Sequence, residues 1–116
     1  MSTHATIGVR YPDGKISGCY VHYDGASIEY RLLDFLKKNT ATGLALLIAQ
    51  AQSKGGMRSF YSRGLDEGEP TTDFLDDNVP YVIDETNWED QDYHFGAPYS
   101  YLVDYETEQI TAWSKY

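Results

Sequence analysis

The sequence predicts an α+β domain in which an antiparallel sheet, made of an N-terminal hairpin and C-terminal strands, packs against two helices. Three observations predict it. Apolar residues alternate on both sides of an early Pro-Asp-Gly turn, helical spacing follows in two successive stretches, and short β-rich segments return after an acidic loop. The 116 residues show no internal repeat and no linker, so residues 1–116 are expected to form one domain.

The first strand is read over His4–Tyr11, where Ala5, Ile7, Val9 and Tyr11 alternate onto one face. Pro12-Asp13-Gly14 supplies a turn, with proline presetting φ and glycine accepting a positive φ. Ile16–Tyr23 is the returning strand. A three-residue loop sets Ile7 opposite Cys19 and Ala5 opposite Val21, joining small apolar groups on one face. A two-residue Asp-Gly turn would mix the faces, so the three-residue register is expected.

Asp24-Gly25 closes the strand, and Ser27 is the expected cap of a helix carrying Ile28, Leu32, Phe35 and Leu36 at helical spacing. Asn39-Thr40 is read as a break. A second helix is expected through Leu44, Leu47, Ile48 and Ala51, stopping at Ser53-Lys54-Gly55-Gly56. Met57–Arg63 is read as a strand, and residues 64–78 as an acidic loop with a helical turn at Thr72–Asp77. Val79–Asp84 is a short strand near an edge because of Pro80. Glu85–Pro98 is a polar loop, and Tyr99–Asp104 with Ile110–Trp113 make a final hairpin.

Charge is the most informative bulk property. The net formal charge is −9, unevenly spread. Residues 1–63 carry eight basic and four acidic groups, whereas residues 64–116 carry one basic and fourteen acidic groups. Eleven carboxylates and no Lys or Arg lie between Asp66 and Asp92. Duplex DNA presents one charge per ~1.7 Å, so eleven carboxylates match about 19 Å of duplex, or about five to six base pairs. Such a surface can compete for the basic groove of a nucleic-acid-binding protein. The expected partner-binding residues are Asp66, Glu67, Glu69, Asp73, Asp76, Asp77, Asp84, Glu85, Glu89, Asp90, Asp92 and Tyr93. Tyr99, Tyr101 and Tyr105 lie among the acids and add interface character. The plainer alternative is a solvated acidic face that keeps a small protein soluble. This charge balance argues against direct nucleic-acid binding.

Other classes are disfavoured. The apolar run Gly43–Gln50 falls short of the ~20 residues that cross a bilayer. No signal-peptide pattern opens the chain, and the single cysteine fits a reducing compartment, so a cytoplasmic location is expected. There is no phosphate-loop, nucleophile-elbow or HExxH motif, and neither enzymatic activity nor a cofactor is expected. Strand alternation separates Cys19 from His22, against a Cys-x-x-His zinc half-site. The same alternation puts His22, Asp24 and Tyr20 on one face, with His4 directly across. His4, His22 and Asp24 are therefore a minority candidate for a metal or small-ligand site, or a weak enzyme; the alternative is a polar hairpin face. Asp90, Asp92 and His94 ahead of Gly96 are spaced somewhat like a calcium loop, but the glycine comes one place late. Self-association through the tyrosine-rich hairpin is a further alternative.

The N-terminal stretch "MSTHATIGV…PDGKISGCYVHYDG…LL" resembles a family of small uncharacterised bacteriophage and prophage proteins. The matching residues are Met1–Thr3, Ile7, Gly8, Asp13, Gly14, Tyr20, His22, Tyr23, Asp24, Gly25, Leu32 and Leu33. Family members usually carry Tyr-Pro where this chain has Ala26-Ser27. The resemblance covers residues 1–36 and is loose beyond them. It implies a phage origin and an accessory role, such as inhibition of a host defence or nucleic-acid enzyme in the bacterial cytoplasm, and no particular reaction.

Overall fold

A computed structural model describes residues 3–62, 64–71, 73–89 and 96–116. In chain order the elements are β1 (Ala5–Arg10), β2 (Ile16–Val21), a 3-10 turn (Gly25–Ser27), α1 (Ile28–Gln52), β3 (Ile83–Asp84), β4 (Tyr99–Asp104) and β5 (Ile110–Ser114). The five strands form one sheet in the order β3-β2-β1-β4-β5. The architecture is α+β, with one kinked helix against a mixed sheet.

The hairpin has the expected register. Ile7 lies opposite Cys19 and Ala5 opposite Val21. The Tyr11 N–H donates to the Lys15 carbonyl and the Gly14 N–H to the Tyr11 carbonyl, both at 2.9 Å, which closes the three-residue loop. Ala5, Ile7, Val9, Cys19 and Val21 then share a core with Ile28, Leu32, Phe35, Leu44 and Ile48 of the helix.

The sheet is not antiparallel throughout, as the sequence had suggested. β4 runs parallel to β1, with Ile7 opposite Tyr101 and Val9 opposite Val103. The hairpin of β4 and β5 joins the free side of β1, while β3 occupies the far side of β2. β1 thereby becomes the central strand, and residues 5–9 are buried on both faces, as suits a parallel neighbour.

The two expected helices are one element. Thr40, at φ 61° and ψ 177°, leaves helical geometry inside Ile28–Gln52 and produces a kink where a break was expected. The Ala41 N–H just beyond it finds its acceptor in the Glu108 carboxylate, at 2.5 Å. A side chain from the β4–β5 turn thus satisfies a donor that the kink would otherwise orphan. The helix ends where the glycines predict, with the Gly56 N–H donating to the Ala51 carbonyl at 2.8 Å.

Two further expectations fail. Met57–Arg63 forms no strand; Met57 makes isolated bridges to Val21 and Phe74, and Arg63 lies outside the described residues. The first residues of this segment are held by isolated main-chain bonds, the Tyr23 N–H donating to the Arg58 carbonyl at 2.9 Å and the Arg58 N–H to the Asp73 carbonyl at 2.8 Å. The Thr71 hydroxyl donates to the Ser59 carbonyl at 3.0 Å. The helical turn expected at Thr72–Asp77 is absent over residues 73–77, where Phe74 bridges to Met57, and Thr72 lies outside the described residues. The strand expected at Val79–Asp84 shortens to Ile83–Asp84, an edge pair, since Pro80 has no N–H to give a ladder. The sheet face away from the helix is covered by a smaller cluster of Tyr20, Ile83, Trp88 and Leu102.

Candidate functional site

The acidic segment does not hang free. It runs back over the basic half of the chain, and three carboxylates meet cations there. Glu69 lies 3.5 Å from Lys38, Asp76 3.6 Å from Lys54 and Asp73 3.3 Å from Arg58. All three pairs are solvent-exposed, so each is worth about 0–1 kcal/mol and exchanges readily for a partner's cation.

Other predicted acids shape their own loops. The Asp77 carboxylate accepts from the Val79 N–H at 3.2 Å, and Glu85 accepts from the Ile16 N–H at 3.2 Å. Asp84 accepts from the Thr86 hydroxyl and N–H, which hold its carboxyl below the usual carboxylate range. Asp66, Glu67 and Glu89 are exposed. Asp90, Asp92 and Tyr93, together with His94 of the calcium-like spacing, lie outside the described residues. Tyr101 is a core residue, only 3% exposed, and Tyr99 and Tyr105 pack against the same core, so these tyrosines do not line an acidic rim.

A concave site missed in the sequence lies at one end of the acidic segment. Tyr30, Arg31, Asp34 and Phe35 of α1 face Phe60, Tyr61 and the Leu65–Glu69 stretch across a pocket of about 330 Å³. The loop is held to the helix because Asn39 Nδ2 donates to the Gly68 carbonyl at 2.6 Å. The Arg31 guanidinium sits 4.5 Å from the Tyr61 ring centroid and 5.6 Å from that of Tyr30. Its Nε donates to the Tyr30 hydroxyl at 3.2 Å. Its Nη1 is buried with no hydrogen-bond partner among the described residues. The only sequence signal was the pair Tyr30-Arg31, and its partner Tyr61 lies thirty residues away.

His4 and His22 do meet, as the register required. Their rings stack with centroids 4.7 Å apart, and the Tyr20 hydroxyl lies 2.8 Å from His22 Nδ1. Partial burial, then His4 and Arg58, lower the His22 pKa below its ordinary 6.5. Asp24 lies at the strand end with φ 62°, where its carboxylate accepts from the Ser59 hydroxyl at 3.4 Å. Among the described residues no three His, Cys, Asp or Glu side chains are grouped to hold a metal. Cys19 is fully buried, and desolvation pushes its thiol up to about 12, so it is poorly suited to act as a nucleophile.

No family model, curated protein or solved structure shows a significant match to this chain. Among the described residues no helix is long and apolar enough to cross a membrane.

Proposed function

We propose that this chain is a small accessory protein that binds a basic surface on another protein through its acidic segment, without chemistry of its own. The observation that carries the reading is how the acids are presented. Asp66, Glu67, Asp76, Asp77, Glu85 and Glu89 are all exposed. Their loops are tied to the folded part of the chain by hydrogen bonds from Asn39 to the Gly68 carbonyl, from the Asp77 N–H to the Lys54 carbonyl and from the Ile16 N–H to Glu85. A pinned loop loses little conformational freedom on binding, which favours affinity over an equally acidic free tail. The partner class that fits is a nucleic-acid-handling or defence enzyme of a bacterial host, whose phosphate-binding groove the acids would occupy and so inhibit. The N-terminal resemblance to phage proteins supports the same role.

The test is affinity capture from a bacterial lysate. The wild-type chain is compared with a variant carrying Asp76→Asn, Asp77→Asn, Glu85→Gln and Glu89→Gln. The proposal expects a basic nucleic-acid-binding protein that salt and duplex DNA release, and that the variant loses. Equal capture by both chains would remove the acidic-surface claim.

A second reading has one observation in its favour. The outer strand β5 is exposed along Thr111–Ser114 and carries no charge or proline to guard its edge. Self-association through β5 would give a mass that rises with concentration in sedimentation.

A further inference from the structure

We propose that the pocket between α1 and the Leu65–Glu69 loop receives one lysine or arginine side chain from the protein partner, with a partner main-chain carbonyl accepting from Arg31. This inference rests on the binding reading above and names the chemistry of its anchoring contact.

Charge complementarity selects the occupant. Asp34, Asp66, Glu67 and Glu69 line the pocket, Glu69 already paired with Lys38 outside it, and among the described lining residues the one cation is Arg31. An anionic ligand would meet Asp34, Asp66 and Glu67, whereas a cationic head group meets them favourably. The walls select a side chain with an apolar stem. Phe35, Phe60 and Leu65 supply carbon surface, along which the methylene chain of lysine or arginine can lie with its charge at the rim.

Arg31 supplies the second, independent sign. A buried donor without an acceptor costs about 1–3 kcal/mol, and native structures keep few of them. Among the described residues Arg31 Nη1 is such a donor, on a side chain that lines the pocket. It lies beneath the ring of Tyr61, a residue 43% exposed, and exposed side chains change rotamer readily. A simple cation would leave Nη1 unsatisfied. A basic residue within a peptide brings both the cation and a carbonyl acceptor.

The size and setting suit one such residue. A cavity of about 330 Å³ sits at the lower end of the range for small-ligand sites, enough for one long side chain but not for a folded element. Interface energy concentrates in residues of this kind, anchored in desolvated pockets and ringed by weaker contacts. The exposed acids elsewhere on the segment would then steer and orient the partner.

The experiment is an amide-shift titration of the ¹⁵N-labelled chain with the capped peptide Gly-Ser-Arg-Ser-Gly, and with the same peptide carrying citrulline for arginine. The inference expects saturable shifts at Tyr30, Arg31, Phe60, Tyr61 and Leu65–Glu69 with arginine, and little with citrulline. Asp66→Asn with Glu67→Gln should weaken binding about tenfold, the scale expected for losing close charge partners. Arg31→Lys should weaken it several-fold, because lysine keeps the charge but not the fork. Preserved amide dispersion in each variant shows that it folds. Glu29→Gln with Glu106→Gln, outside the pocket, should leave the titration unchanged. Shifts that are absent, map elsewhere or persist with citrulline overturn the inference. If they do so while the four-acid variant still loses its captured partner, the pocket assignment falls and the wider binding reading stands.

Discussion

The Tyr101 hydroxyl donates to the Gly25 carbonyl across 2.6 Å, tying the central part of β4 to the turn that opens the helix. Burial, then Glu29 and Tyr99, push the Tyr101 pKa up to about 12 from an ordinary 10.0. Tyr101→Phe leaves a buried carbonyl without this donor and should cost about 1–2 kcal/mol in urea unfolding at neutral pH. The pH dependence has a defined sign. The native state holds its proton where the unfolded chain has lost it, so the contribution is complete below pH 10 and fades as pH rises towards about 12. The phenylalanine variant should lose that part of the alkaline slope. An unchanged midpoint and slope would show that the link contributes nothing.

Glu108 should act as a helix cap delivered from a distant turn. Glu108→Ala removes the acceptor for the Ala41 N–H at the kink and is expected to cost about 1 kcal/mol, the usual scale for losing a cap. Thermal melts measure it, and Glu106→Ala at a neighbouring exposed position is the control. Equal melting of both variants would refute the capping role.

Gly56 is held by a close approach. At φ 128° it lies where an added Cβ would stand 2.6 Å from the Tyr20 carbonyl oxygen, a backbone atom that cannot easily move. Gly56→Ala combines a disfavoured φ with this clash and should lose about 2–4 kcal/mol of stability. Gly64→Ala also has a positive φ but meets open space, so a smaller loss is expected there.

The histidine pair predicts a titration. Because the His22 pKa lies below 6.5 in the folded chain, its contribution to stability is present above pH 6.5. It is lost as pH falls through the folded-state value, where the unfolded chain has already taken up a proton. His4→Ala removes one cause of the depression and should move the His22 titration, followed by proton NMR, back towards 6.5. A His22 pKa that stays in place would mean that His4 has no electrostatic hold on it.

The parts of the fold that were legible in the sequence rest on local chemistry. Pro12-Asp13-Gly14 and the alternation around it were enough to place Ile7 against Cys19 and His4 against His22. Asn39-Thr40 marked the correct place for a break in helical geometry. The acceptor that the Ala41 N–H finds at this kink, Glu108, comes sixty-seven residues later in the chain. The parallel pairing of β1 with β4 was hidden for a similar reason, since neither strand's pattern says which side of β1 is free. The acidic segment was plain as charge, but its ion pairs to Lys38, Lys54 and Arg58 were not. The Arg31 pocket was least visible, because its two walls come from segments thirty residues apart that share no motif.

The measurement that bears most directly on the central claim is the affinity of the purified captured partner at two salt concentrations. It should be made for wild type, for the Asp76→Asn, Asp77→Asn, Glu85→Gln, Glu89→Gln variant, and for the Glu29→Gln, Glu106→Gln control. The account predicts that wild type and control bind alike and weaken as salt rises, while the four-acid variant binds at least about tenfold more weakly and with less salt dependence. Equal affinity and equal salt dependence for all three chains would contradict it.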